Sequence, residues 1–306
     1  MKTIGFDTSN YTTSIAAFDG IDGVNCSQLL PVKPGELGLR QSDAVFSHTK
    51  SLPELSGRLF SHIQANEIGA VGVSTRPRAV EGSYMPCFMV GFSHAKMLAD
   101  CIGVPLIEVS HQQGHVAACL WSAGRMDLMD KPHLAWHLSG GTTELLLVEP
   151  EGKNVKCTRI GGTTDISAGQ LIDRTGVMLE LPFPAGRHVD ALSKEATLTD
   201  LFKVKCNGLE FSLSGVQNKA QQYYQTHNAA ETAGYVLRCV CQAVLQTTKN
   251  AQKTYPGLEV VFSGGVASNA MLRQVMAPLG AVFSQPQFST DNAIGVAVLA
   301  KRLVEG

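Results

Sequence analysis

The eight cysteines form no C-x-x-C pair, and the two closest, Cys239 and Cys241, are poorly spaced as metal ligands. Reduced, mostly buried thiols of a cytoplasmic protein are expected, not a dithiol centre. Charge is sparse, at 17% of residues with a formal net charge of −1. No general basic surface therefore marks the chain as a nucleic-acid binder, although a local patch or a basic partner stays open. No apolar run approaches the length that crosses a bilayer, so no membrane association is expected. No signal-peptide pattern precedes the first strand, which again points to the cytoplasm. What the chain does have is 44% hydrophobic residues over 306 positions, enough for one large domain or two of medium size.

Apolar periodicity gives the element order. Residues 3–9 and 13–18 flank Asn10-Tyr11 and read as a hairpin with a polar tip. A third strand is expected near 27–32 and a glycine-containing loop over 34–42. Helix is expected over 44–66, with Pro53 near the start of its longer part, then strand 70–74, a loop to 86, helix 87–101 and strand 104–109. The order then repeats. A second hairpin, 134–139 with 143–148, leads to a third strand over 155–160. Helices follow, one over about 230–252, then strand 258–262, a helix from Asn269, strand 280–283 and a last helix over 291–304.

The two hairpins align without a gap. Ser9-Asn10-Tyr11-Thr12-Thr13-Ser14-Ile15 and Ser139-Gly140-Gly141-Thr142-Thr143-Glu144-Leu145 share three of seven residues. The shared element order points to an ancient duplication. Two α/β lobes facing each other across a cleft are expected, over residues 1–127 and 128–306, the second with an inserted segment at about 161–211.

Ser110 with Gln113 three residues on forms a capping box, so a helix should start there. His111 and His115 then share a face of its first two turns and can grip one metal ion. The helix N-terminus should help keep both rings neutral. Two solvated histidines at this spacing are the alternative. The duplication puts Asp291, after Ser289-Thr290 and at the expected start of the last helix, opposite the histidine helix. A carboxylate from one lobe would then meet two histidines from the other. A plain first-turn carboxylate is the duller account.

Ser139-Gly140-Gly141 sits in a hairpin, and Ser263-Gly264-Gly265 follows a strand and opens a helix. Neither is G-x-x-x-x-G-K-[ST] or G-x-G-x-x-G. Bare backbone N–H groups in such turns suit an anion, and glycine lets a phosphate approach closely. Two such turns, read as coming from equivalent lobes, favour a bound nucleotide over tight turns alone. In the insert, Asp165 and Asp173 could line the cleft, Asp173 accepting from ribose hydroxyls, or could sit on a solvated helix face.

Taken together, these motifs resemble the tRNA threonylcarbamoyladenosine transferase family (TsaD), formerly called glycoproteases or O-sialoglycoprotein endopeptidases. The resemblance spans nearly the whole chain. It implies the fold shared by actin, sugar kinases and Hsp70, two duplicated RNase H-like lobes. It puts the family's metal ligands on His111, His115 and Asp291. Its Ser-Gly-Gly-His-Thr loop falls on Ser139 to Thr143, so Leu138, Ser139, Gly140, Gly141 and Thr142 would hold nucleotide. Its acidic helix falls on Asp165 to Arg174, with the ribose-binding aspartate at Asp173. Its Pro-Gly-Gly turn and following aspartate fall on Pro184-Ala185-Gly186 and Asp190. Phe-Ser-Phe-Ser-Gly falls on Phe211 to Gly215, and Gly-Gly-Val-x-x-Asn on Gly264 to Asn269, adding Gly265 and Asn269 to the expected site.

Departures from the family pattern cluster at the first hairpin tip. The family reads Glu-Thr-Ser-Cys-Asp-Glu-Thr; this chain reads Asp7-Thr8-Ser9-Asn10-Tyr11-Thr12-Thr13. Thr142 replaces a histidine, and Ile166 and Gln170 replace carboxylates. The resemblance implies a threonylcarbamoyl-AMP substrate attacked by an adenosine amine of tRNA, with one divalent ion, iron or zinc, as Lewis acid and template. Asp7 is the carboxylate left near the tip as proton acceptor. A partner of the same fold, or a homodimer, is expected. The alternatives are a nucleotide- and metal-binding paralogue that assembles with an active homologue, and a metalloprotease. The protease reading lacks its general base, because Gln112 stands where a zincin has glutamate.

Overall fold

The computed structural model describes residues 1–31, 39–61 and 63–305. Residues 34–38 of the expected loop and Val32 of the expected third strand lie outside them. In the first half the elements are β1 (Lys2–Thr8), β2 (Thr12–Phe18), β3 (Gly23–Leu29), α1 (Gln41–Phe60), β4 (Ile68–Arg76), α2 (Phe88–Ile102), β5 (Leu106–Ser110) and α3 (His111–Ser122). There follow β6 (His133–Leu138), β7 (Thr143–Glu151), β8 (Asn154–Thr163), α4 (Ala168–Met178), α5 (Gly186–Ser193), β9 (Cys206–Asn207) and β10 (Glu210–Phe211). The chain ends with α6 (Ser214–Tyr224), α7 (Ala229–Thr254), β11 (Val260–Ser263), α8 (Ala270–Met276), β12 (Val282–Phe283) and α9 (Ile294–Glu305).

The chain divides into two compact units. One comprises Met1–Lys131, Glu149–Cys157 and Asp291–Gly306; the other comprises Pro132–Val148 and Thr158–Thr290. The first unit holds a five-stranded sheet in the order β3-β2-β1-β4-β5. The second holds a seven-stranded sheet in the order β12-β11-β6-β7-β8-β10-β9. Read from β8 to β12, the second repeats the order of the first, as a duplication requires. The segment expected as an insert supplies α4, α5, β9 and β10, and the two short strands lengthen the sheet beyond β8.

The units differ from a division at 127/128 in one respect that matters for the site: Asp291 and α9 lie in the first unit. Strand alternation explains why. In β1, Ile4 and Phe6 point into a core with Leu52, Leu55 and Leu59 of α1 and Ala95 and Ala99 of α2. Thr3, Gly5 and Asp7 take the opposite face, which α9 covers. Thr3 Oγ1 donates to the Ala297 carbonyl at 2.8 Å, and a Cβ on Gly5 would lie 2.4 Å from the Ala293 carbonyl. Helix α9 also crosses α3 at Gly295, where a Cβ would stand 1.8 Å from the Gly114 carbonyl. Only glycine admits that approach, and it brings the segment before α9 beside the start of α3.

In α1 the buried stripe Ala44, His48, Leu52, Leu55, Leu59 includes one histidine. His48 is fully buried and its Nδ1 lies 2.8 Å from Thr13 Oγ1. Burial lowers its pKa, against the opposing influence of the Ser9 backbone and the Asp7 charge. A depressed folded-state value means that protonation favours the unfolded chain. The stabilisation is full above the unfolded value, about 6.5, and is lost as pH falls below it. Stability of wild type should therefore fall more steeply below that pH than that of His48→Gln, by up to about 1.4 kcal/mol per pH unit. Parallel slopes from urea titrations at pH 7 and pH 5 would refute this.

All eight cysteines are free and five are buried. No helix among the described residues is long and apolar enough to cross a membrane.

Candidate functional site

Helix α3 starts as its sequence requires. Ser110 Oγ accepts from the Gln113 N–H at 3.2 Å, and Gln113 Oε1 accepts from the Ser110 N–H at 2.9 Å. The cap fixes the first turn, so His111 and His115 project together. Their Nε2 atoms are 3.0 Å apart. Asp291 Oδ1 lies 3.1 Å from His115 Nε2 and 3.6 Å from His111 Nε2. Among the described residues this is the one group of three such side chains able to hold a metal ion. A tetrahedral ion with bonds of about 2.0–2.1 Å separates its donors by roughly 3.3 Å, so the three atoms fit one ion without rearrangement. Two imidazoles and a carboxylate suit both iron and zinc.

Two expectations are corrected here. Asp291 does not open the last helix, since α9 begins at Ile294 and Asp291 belongs to the segment leading into it. The Ile294 N–H is met by Asn292 Oδ1 at 3.1 Å, not by a Ser289 or Thr290 cap. Nor do the three residues come from two units, since all lie in the first. His111 lies beside two carboxylates, which favour its charged form. Burial is the largest single influence and opposes its charge. The Asp7 charge and the hydrogen bonds to Asp291 and Asp7 outweigh it, raising the pKa to about 10. A helix dipole, worth about 0.3–1 kcal/mol, cannot offset two adjacent carboxylates. Burial likewise opposes charge on Asp291, but its hydrogen bonds to the two histidines and their charges hold its carboxyl well below the usual range.

Asp7 is fully buried at the end of β1. Its Oδ1 and Oδ2 lie 2.9 and 3.1 Å from His111 Nδ1, and Ser74 Oγ donates to Oδ1. The residue expected as a proton acceptor thus faces His111 and not solvent. Ser9, two residues on and just past the end of β1, donates to Asp291 Oδ2 at 2.9 Å. Sequence reasoning passed over Ser9 and Ser74. The alternation Thr3, Gly5, Asp7, Ser9 was the signal that could have found Ser9; Ser74 had none.

The remaining expected residues lie in the second unit, joined in a ring of contacts. Strands β6 and β11 are parallel neighbours, with Ser263 in register with His137. Both glycine turns therefore come from one unit, which corrects their assignment to equivalent lobes. At Gly264, with φ of 91°, a Cβ would stand 2.2 Å from the Leu138 carbonyl. The first turn closes on itself, Ser139 N–H donating to the Thr142 carbonyl at 2.8 Å and Thr142 N–H to Ser139 Oγ at 3.1 Å. Gly140 and Gly141 leave open space where a side chain would stand. Helix α4 abuts this turn at Gly169, and Ser167 Oγ donates to the Gly140 carbonyl at 2.6 Å.

One helical turn further, Asp173 Oδ1 accepts from the Ala185 N–H at 2.9 Å, just before Gly186 opens α5. Burial raises the Asp173 pKa, against that hydrogen bond. In α5, Asp190 Oδ1 accepts from Asn269 Nδ2 at 2.5 Å, while Asn269 Oδ1 caps α8 through the Leu272 N–H at 2.9 Å. Asn269 thus ties α5 to α8 behind the Gly265 turn. Asp165 caps α6, accepting from the Leu213 and Ser214 N–H groups at 2.8 and 3.2 Å. Its carboxyl is held below the usual range by those bonds and the Ser212 and Ser214 hydroxyls, against burial, the largest influence.

Comparison with known proteins follows the same lines. Residues 38–298 match the family described as TsaD, tRNA N6-adenosine threonylcarbamoyltransferase. A protein of that name from Streptococcus suis is 34% identical over 231 residues, covering 72% of this chain and 65% of the relative. One from Carboxydothermus hydrogenoformans is 30% identical over 262 residues, covering 82% of this chain and 75% of the relative. The chain thus spans just under two thirds of the length of the Streptococcus relative. Among solved structures, HypF of T. kodakarensis covers the whole chain with a TM-score of 0.63 at 13% identity, the match taking 48% of that protein. A ROK hexokinase from Thermus thermophilus also covers the whole chain, with a TM-score of 0.51 at 16% identity over 99% of its own length. At such identities the likeness speaks to fold alone, and the fold is the actin, sugar-kinase and Hsp70 type.

Proposed function

The chain belongs to the TsaD family, and from that premise we propose that it transfers a threonylcarbamoyl group from threonylcarbamoyl-AMP to an adenosine of tRNA. The observation that carries the reading beyond family membership is the convergence of His111 Nε2, His115 Nε2 and Asp291 Oδ1 on one point. In the reaction the adenosine N6 amine attacks the carbamoyl carbon, the carbon–oxygen bond to the phosphate breaks, AMP leaves, and the amine loses a proton. A divalent ion at the three ligands, iron or zinc, would supply Lewis acidity and a template.

The protein's own groups account for binding. The backbone N–H groups of Gly140, Gly141 and Gly265 would receive the phosphate, its approach unhindered because Gly140 and Gly141 carry no side chain, while Ser139 shapes the turn. Leu138 and Thr142 close that turn at either end. Asp173 has Oδ2 with no hydrogen-bond partner among the described residues, leaving it for a ribose hydroxyl beside Gly186. Asp190 and Asn269 would fix the far wall of the nucleotide site. Asp7, buried and bonded to His111 and Ser74, would serve His111 rather than take the substrate's proton.

A second reading, a nucleotide- and metal-binding partner of an active homologue, is favoured by the missing carboxylates at Tyr11 and Thr12. A protein partner of the same fold, or a second copy, belongs to either reading. A tRNA substrate would place the protein in the cytoplasm. The test is an assay of the purified protein with threonine, bicarbonate, ATP, tRNA and the enzyme that makes the adenylate. Label from threonine should enter tRNA, though slowly; label that stays wholly in the adenylate favours the partner. Calorimetry gives an independent check. AMP or ATP should bind with metal present, and no binding of either at millimolar concentration would remove the nucleotide site.

A further inference from the structure

We propose that Asp7, near the end of the first strand, and Ser9, just past it, are the positioning residues of the metal centre. This inference rests on the metal reading above and deepens it. A carboxylate only accepts, so the contact of 2.9 Å between Asp7 Oδ1 and His111 Nδ1 requires the proton on Nδ1. In the neutral ring that a metal ligand must be, the lone pair is then on Nε2, the atom that faces His115 Nε2 and Asp291 Oδ1. Ser74 Oγ donates to the same Asp7 carboxylate and holds it in place. Ser9 does for Asp291 what Asp7 does for His111. Its hydroxyl takes Oδ2, which leaves Oδ1 turned to the histidines.

Thr8, between them, points to the other face of the strand. Its Oγ1 donates to the Cys87 carbonyl at 2.9 Å and accepts from the Gly91 N–H at 3.1 Å, which locks the strand end against α2. A Cβ on Gly91 would lie 2.8 Å from that hydroxyl, so the contact is close. The tip beyond is tied elsewhere. Asn10 Oδ1 accepts from Gln41 Nε2 at 2.5 Å, and the Tyr11 carbonyl accepts from the Leu30 N–H at 2.7 Å. The hairpin therefore has two separable parts, a base that orients ligands and a tip that does not touch them.

The test is Zn2+ affinity of the full chain, measured by competition with a chromophoric chelator. Groups that orient a metal ligand are typically worth 10–100-fold in affinity. Asp7→Ala should lose roughly that factor, and Asp7→Asn and Ser9→Ala about tenfold each. Asn10→Ala should stay within about twofold of wild type. Nitrogen NMR of labelled histidine supplies a readout that loss of packing alone would not move. In the metal-free protein the His111 Nδ1 should stay protonated in wild type, and the two neutral ring forms should mix in Asp7→Ala. Should Asp7→Ala fail to fold, Asp7→Asn, which keeps size and shape, and Ser9→Ala decide the matter. Wild-type Zn2+ affinity in these variants, or an equal loss in Asn10→Ala, overturns the inference and leaves the metal reading standing. A wild-type protein that takes up no Zn2+ overturns both.

Discussion

Replacing His111 and His115 together by alanine should bring bound metal from one ion per chain to none. Two of three donors are removed, and Asp291 alone, partly exposed, cannot retain an ion against water. If transfer depends on that ion, its loss should cost several kcal/mol of transition-state stabilisation; about 4 kcal/mol is roughly a thousandfold in rate. Alanine also leaves Asp7 and Asp291 without their histidine partners, and a buried carboxylate without its partner costs about 3–5 kcal/mol of stability. The double glutamine variant, which keeps an N–H donor at both positions, should lose the metal with less damage to the fold. Elemental analysis and urea titration read the two effects separately. Metal content unchanged in both variants would remove these residues from the centre.

The second large effect concerns the hairpin tip. Neither Tyr11 nor Thr12 can take up a proton as a carboxylate does, and the family carries acidic residues at both positions. Wild type should therefore bind nucleotide and metal yet transfer poorly to tRNA. Tyr11→Asp with Thr12→Glu should raise transfer about a hundredfold if general-base help was all that was lost. Zn2+ affinity should not change, because the ligands are oriented by Asp7 and Ser9 at the base of the hairpin. Full wild-type activity, equal to that of a relative with the acidic tip, would falsify this and show that the missing carboxylates were never needed.

Local signals in the sequence were read correctly where the physics is local. Ser110 and Gln113 cap α3 as their spacing dictates, and that cap sets both histidines on one face. Alternation in β1 sorts Ile4 and Phe6 from Gly5 and Asp7. The repeated element order reappears as a repeated strand order in the two sheets. What could not be read depends on contacts between distant residues. The unit to which Asp291 belongs is set by α9 lying against Gly5, Gly72 and Gly114, separated from it by most of the chain. The start of α9 was placed three residues early because Asp291 looks like a first-turn carboxylate, while the chain bends through Asp291 before the helix begins at Ile294. The partner of Asp7 is 104 residues away, so the strand pattern gave its face but not what it meets. The two serine-glycine-glycine turns looked like symmetric equivalents, yet they are neighbours on β6 and β11.

The most direct measurement is an anomalous difference map from crystals grown with zinc or iron, collected on either side of the metal's absorption edge. One peak is expected within about 2.0–2.2 Å of His111 Nε2, His115 Nε2 and Asp291 Oδ1, with at least one further position open to water or ligand. A map with no peak there, or with its peak on other residues, would contradict the assignment of this centre.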